Sequence, residues 1–201
     1  MNVIEKTYKW SGSLTKRTAT KYIILHHRAG NGDVASIHNA HLKNDWSGIG
    51  YHFYVRKDGS VYRGRPINTV GAHCENYNWL SIGICFEGNF ENEKMSEAQI
   101  KAGQELIAYL KQQYPLIEVK RHKDFDSTAC PGKNFLFDSI KNGVVKQYLT
   151  TANDMIWELS QYIEISEVDK AVQMLEKARK ENNSLYWILY KLLNLCKIEK
   201  R

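Results

Sequence analysis

The sequence predicts an α/β fold, a mixed central β-sheet flanked by helices, followed by a small C-terminal all-helical appendage. Three features predict it. Apolar runs of strand length alternate with stretches of helical period. One Asp-Gly pair between two β-rich segments marks an antiparallel hairpin. After about residue 150 strand signals stop and only helical stripes continue.

The elements follow in order. Residues 22–27 (YIILHH) read as a short buried strand. Residues 33–44 suit a helix with Asp33 as N-cap and Val34, Ile37 and His41 on one side. Tyr51 to Arg56 is β-rich, Asp58-Gly59 supplies the turn, and Ser60 to Arg63 returns. Ser81 to Phe86 is a further apolar strand. Ser96 to Tyr114 is the clearest helix: Ser96 and Gln99 form a capping-box pattern, Ile100, Gly103, Ile107, Leu110 and Tyr114 keep helical spacing, and Pro115 ends it. Ile117 to Val119 reads as a strand leading into a loop from Arg121 to Gly132.

Beyond this, Met155, Ile156, Leu159, Tyr162 and Ile163 form one helical stripe, and Val168, Ala171, Val172 and Leu175 a second. Leu185 to Tyr190 opens a third, very apolar segment. Two domains are therefore expected, residues 1–148 and 149–201. The second is a candidate for cell-surface targeting or, given its apolar density, for self-association into a homo-oligomer.

Composition sets limits. At 201 residues, 43% hydrophobic and 25% charged, the chain can bury roughly 70% of its unfolded surface without disulfide staples. No apolar run approaches the roughly 20 residues of a transmembrane segment. The first 21 residues carry Glu5, Lys6, Lys9, Lys16, Arg17 and Lys21 and lack the apolar core of a secretory signal. Synthesis in the cytoplasm without a signal peptide is the expectation. The net charge of +6 falls in the first 150 residues, with 20 Lys/Arg against 14 Asp/Glu, while the remainder is balanced. A basic domain favours anionic partners such as acidic polymers. No nucleic-acid-binding motif is present, so nucleic acid is not expected.

The four cysteines, Cys74, Cys85, Cys130 and Cys196, show no C-x-x-C spacing. Buried thiols or metal ligands are expected rather than a disulfide framework. Of the seven histidines, His26 and His27 end an apolar strand, where side chains are held rigidly and can face a cleft. Alternation sends them to opposite faces, and periodicity does not choose between them. His122 and Cys130 share one loop, closed by Pro131-Gly132. Imidazole and thiolate are the usual donors to zinc, and three protein donors plus an open position make a catalytic site. No H-E-x-x-H helix is present. His52 reads as a structural strand residue, His38 and His41 as helix packing, Cys85 as core, and Trp46 and Trp79 as candidates to border a groove.

Four longer strings occur in order: YIILHHRAG (22–30), GIGYHFYVRKDGSVYRGRP (48–66), VGAHCENYNWLSIGICFEG (70–88) and RHKDFDSTACPG (121–132). Together they resemble the type-2 N-acetylmuramoyl-L-alanine amidases, a family that includes phage endolysins and peptidoglycan recognition proteins. The resemblance covers roughly residues 18–145. It implies one zinc ion held by His26, His122 and Cys130. It also implies an active-site tyrosine at Tyr51 and a catalytic position at Thr128, where some phage members carry lysine. The resemblance further implies that His73 lines the substrate groove and that Asn78 falls in a groove-side block; Trp79, next to Asn78, is a candidate substrate-binding aromatic.

The implied function is a peptidoglycan hydrolase that cuts between N-acetylmuramic acid and L-alanine with zinc-activated water. The alternative is a non-catalytic peptidoglycan-binding recognition module, disfavoured because such members commonly lack the cysteine that Cys130 retains. The implied partners are bacterial peptidoglycan and anionic cell-wall polymers. A bacteriophage lysin, made in the host cytoplasm and acting on the wall after release, fits the missing signal.

Overall fold

The computed structural model describes residues 2–143. Six strands appear in chain order: β1 (Val3–Ile4), β2 (Tyr22–His27), β3 (Phe53–Val55), β4 (Val61–Arg63), β5 (Ser81–Phe86) and β6 (Glu118–Arg121). Three helices accompany them: α1 (Val34–Lys43), α2 (Glu97–Gln113) and α3 (Phe137–Ile140). Short 3₁₀ turns cover Asn78–Leu80 and His122–Asp124. The strands form one sheet in the order β1-β4-β3-β5-β2-β6. Only β3 and β4 pair antiparallel; the other pairings are parallel. The mixed α/β architecture expected from the sequence is therefore present.

The chain divides into two compact units, one of residues 1–107 and 117–143, the other of 108–116 and 144–201. The described part of the second is the end of α2 and the turn through Pro115. The expected boundary at 148/149 and the three C-terminal helical stripes lie outside the described residues.

Local chemistry explains the elements. β5 is buried at every position, as a central strand covered on both faces should be. Asp33 caps α1, its carboxylate accepting the Ser36 N–H at 2.8 Å. The buried face of α1 is Val34, Ile37 and His38, so His38 and not His41 completes it. The hairpin closes at Asp58-Gly59: Gly59 sits at φ +85°, and Asp58 accepts the Ser60 N–H at 2.8 Å.

Three expectations change. The strand expected over 51–56 shortens to Phe53–Val55. The strand expected at 117–119 begins and ends later, at Glu118 and Arg121. The capping box at α2 is half formed. Ser96 Oγ accepts the Gln99 N–H at 3.1 Å, but the Gln99 amide instead donates to Val55 O at 3.2 Å and Glu87 O at 2.9 Å. Gln99 thus serves two buried strand carbonyls, which is worth more than a solvated cap.

One sheet face builds the site. Across adjacent strands, His26 pairs with Cys85, and Cys85 with Tyr54. Val34, Ile37, Ile49, Tyr54 and Cys85 form a buried cluster on that face, with Tyr51, Tyr8, Trp10 and Tyr62 packed against it. On the opposite face Gly103 of α2 lies against Phe86. Buried Arg17 donates to the carbonyls of Ile67 (2.6 Å), Thr69 (3.0 Å) and Ser81 (2.9 Å). That single guanidinium fastens the 66–70 loop, which leads to His73, onto the start of β5.

His52 is fully buried. Its Nδ1 accepts the Gly83 N–H at 3.0 Å, and Nε2 meets Thr69 O at 2.9 Å, as the structural assignment from sequence expected. Burial lowers its pKa to about 3 and that of His41 to about 4. Between these values and the ordinary 6.5 the unfolded chain binds more protons, so stability is lost as pH falls below about 6.5. Urea denaturation is expected to show a loss on the order of 1 kcal/mol per pH unit from His52 alone between pH 6 and 5. His52→Asn, which keeps an acceptor for Gly83 but cannot ionise, should flatten that slope. An unchanged slope would contradict the assignment.

Candidate metal centre

The site forms at the carboxyl end of two parallel strands, where ligands commonly gather in α/β sheets. β2 delivers His26, only 1% exposed. β6 runs beside it in a register that pairs Leu25 with Arg121, so the next residues, His26 and His122, fall side by side. Their ring centroids are 4.5 Å apart. The 122–130 loop then folds back on itself: Lys123 N–H donates to Cys130 O at 3.0 Å, and Phe125 N–H to His122 O at 3.0 Å. Cys130 Sγ arrives 3.8 Å from His26 Nδ1.

One donor atom from each of His26, His122 and Cys130 lies within 4.8 Å of the others. Donors around a tetrahedral zinc sit about 3.3–3.6 Å apart, given bonds of roughly 2.0–2.3 Å. Small side-chain adjustments bring the three into that range, and two imidazoles with one thiolate are a set that suits zinc. Burial, reinforced by His122 and His27, holds the His26 pKa well below its ordinary value. Burial lowers His122 as well. Both rings are thereby kept in the neutral, ligating form. Burial pushes the Cys130 thiol up to about 11, opposed by the backbone N–H of His27. A bound cation would reverse that rise and favour the thiolate.

The remaining expected residues fall around this centre. The Tyr51 ring lies 5.2 Å from His26. Burial, reinforced by the nearby Cys85 and Cys130 thiols, raises the Tyr51 pKa well above 10, so it stays an O–H donor. Thr128 Oγ1 accepts the Cys130 N–H at 3.2 Å, bracing the loop that carries the sulfur. Asn78 Oδ1 accepts the N–H groups of His73 (2.8 Å) and Cys74 (3.1 Å); its carbonyl shapes the 73–78 turn. Trp79 is 58% exposed beside that turn. His73, expected on the groove side, is 8% exposed and turned against His26.

The family model described as N-acetylmuramoyl-L-alanine amidase matches residues 16–133, which holds all three candidate donors. The chain belongs to the N-acetylmuramoyl-L-alanine amidase family. Among solved structures it is similar to the N-acetylmuramoyl-L-alanine amidase LysC from Clostridium intestinale, at 42% identity and a TM-score of 0.68 over 70% of this chain and 95% of that one. Among curated relatives, peptidoglycan-recognition protein SC2 of Drosophila melanogaster is 34% identical over 67% of this chain and 82% of its own. The endolysin of Klebsiella phage KP32 is 35% identical over 58% of this chain and 83% of its own. Among the described residues no helix is long and apolar enough to cross a membrane.

Within this amidase-family chain, His27 points to the other sheet face, accepting the Phe90 N–H at 3.2 Å. His38 accepts the Ile49 N–H at 3.2 Å, a packing role as expected, and Cys85 is core. His41 accepts the Gly50 N–H at 3.0 Å, and its ring lies 4.6 Å from exposed Trp46 and 5.8 Å from Tyr51. Sequence reasoning missed two partners. Asp126 Oδ2 lies 3.6 Å from His122 Nε2, a one-turn i,i+4 spacing that was visible in the string. Ser81 reaches His73 only through the fold.

Proposed function

We propose that the protein is a zinc-dependent peptidoglycan hydrolase that cleaves the amide bond between N-acetylmuramic acid and L-alanine. The observation that carries this is the gathering of His26, His122 and Cys130 donor atoms within 4.8 Å, from a strand end and a distant loop. A three-donor set leaves one tetrahedral position for water or substrate. When bound there, zinc supplies Lewis-acid chemistry, polarising the scissile carbonyl and acidifying a water molecule. Tyr51, kept protonated by burial, donates a hydrogen bond to the oxygen on which negative charge develops. Thr128 keeps Cys130 in place through the backbone bond it accepts. Trp79 and Trp46, both exposed, offer aromatic faces to sugar or peptide at the groove. Bacterial peptidoglycan is the partner, and the basic surface suits anionic wall polymers. Synthesis in a host cytoplasm and action on the wall after release belong to the same proposal.

Mass spectrometry of digested peptidoglycan tests the bond assignment. Free stem peptides beginning with L-alanine are expected, with intact glycan strands. Cleavage at another bond, or none by zinc-loaded protein, would contradict it. A recognition module that binds without cutting is the second possibility, favoured by the likeness to recognition protein SC2; muropeptide binding without turnover would support it.

A further inference from the structure

His73 lies in a slot made by two missing side chains. A Cβ on Gly71 would fall 2.4 Å from His73 Cδ2 and 2.8 Å from Nε2. A Cβ on Gly83 would fall 2.5 Å from both Cγ and Cδ2. Any larger residue at either position would collide with the imidazole, so the ring packs directly against the backbone at both glycines. Its backbone N–H is fixed by Asn78 Oδ1 at 2.8 Å. A side chain this confined presents its two nitrogens in fixed directions.

The hydrogen bonds then fix which nitrogen carries each proton. Ser81 Oγ has one hydrogen, and it donates that hydrogen to Tyr77 O at 2.7 Å. Toward His73 Nε2, 3.4 Å away, Ser81 Oγ can only accept, so Nε2 carries the His73 proton. A neutral ring protonated at Nε2 has a lone pair at Nδ1, and a second proton on so buried a ring would leave a charge without a counter-ion. His73 Nδ1 lies 3.1 Å from His26 Nε2, which must therefore donate. His26 is left with its lone pair on Nδ1, the atom 3.8 Å from Cys130 Sγ.

Resting on the metal centre proposed above, we infer that His73 is a positioning residue for that centre. It accepts the Nε2–H of His26 and so presents His26 Nδ1 as the metal donor. Outer hydrogen bonds of this kind orient ligating histidines and set their tautomer. The second ring also has a polar neighbour beyond the centre: Asp126 Oδ2 stands 3.6 Å from His122 Nε2. The buried histidine has a buried neutral partner, and the half-buried one has an exposed carboxylate.

The test uses the full chain. His73→Phe keeps ring volume but removes the acceptor. His73→Asn places an amide oxygen close to where Nδ1 stood. Zinc affinity by chelator competition is expected to fall roughly 10- to 100-fold in His73→Phe and to recover most of the loss in His73→Asn. Nitrogen NMR of the metal-free wild type should show His26 protonated at Nε2, and His73→Phe should show mixed tautomers. If His73 served substrate alone, His73→Phe would raise KM and leave zinc affinity within twofold, which overturns the inference. Wild-type His26 protonated at Nδ1 overturns it as well, even if both variants fail to fold. A wild type that shows the Nε2–H tautomer yet binds no zinc would instead defeat the proposed metal centre. Zinc binding with unchanged affinity in His73→Phe would defeat only the role of His73.

Discussion

Replacing Cys130 with serine, or His26 with alanine, is expected to abolish zinc loading and peptidoglycan cleavage together. Either change leaves two protein donors where a catalytic site uses three. The effect should exceed the roughly 10- to 100-fold cost of losing an outer partner. His26→Ala also opens a void beside Cys85 and Tyr51 at a position 1% exposed, so Cys130→Ser, which changes one atom, is the cleaner variant. His27→Ala is the matched control: its ring lies on the opposite face, and the contact it makes near Cys130 comes from its backbone N–H, which alanine retains. Metal analysis of the three purified variants, with turnover measured alongside, decides the matter. Equal zinc loss in His26→Ala and His27→Ala would refute the ligand assignment.

The second large effect is expected at Tyr51. Removing one hydroxyl that stabilises a developing oxyanion typically costs about 10²–10³ in kcat, or roughly 3–4 kcal/mol. Tyr51→Phe should therefore lower kcat on that scale while zinc stoichiometry stays at one. The aromatic packing against His26 and His41 survives in phenylalanine, so folding is not at issue. A kcat within a factor of a few of wild type, under steady-state assay on soluble muropeptide, would remove Tyr51 from the mechanism.

The elements that sequence exposed best are those whose information is local. YIILHH is a strand because an apolar run of that length can be buried on both faces, and α1 starts at Asp33 because that side chain caps it. β1 was missed because two residues, Val3 and Ile4, carry no period; β4 alone specifies their pairing. Gln99 departs from the expected capping role for a related reason. Its helical position is local, whereas the buried carbonyls of Val55 and Glu87 that claim its amide are not.

The candidate site divides the same way. His122 and Cys130 were legible as a pair on one loop, but periodicity alone could not separate His26 from His27; only the longer strings did. His73 was placed on the groove because its position in the VGAH string implied substrate. The fold turns it inward because Gly71, two positions before it, and Gly83 on β5 both lack the atom that would exclude it. Asp126 stands four residues after His122 in the same string, whereas the Ser81 contact with His73 forms only when β5 packs beside the 73–78 turn.

X-ray absorption at the zinc edge of the zinc-loaded protein addresses the central claim most directly. One sulfur, two imidazoles and one light, exchangeable fourth donor are expected, with the sulfur lost in Cys130→Ser. A spectrum without sulfur, or one with four protein donors and no exchangeable position, would contradict a catalytic centre built from His26, His122 and Cys130.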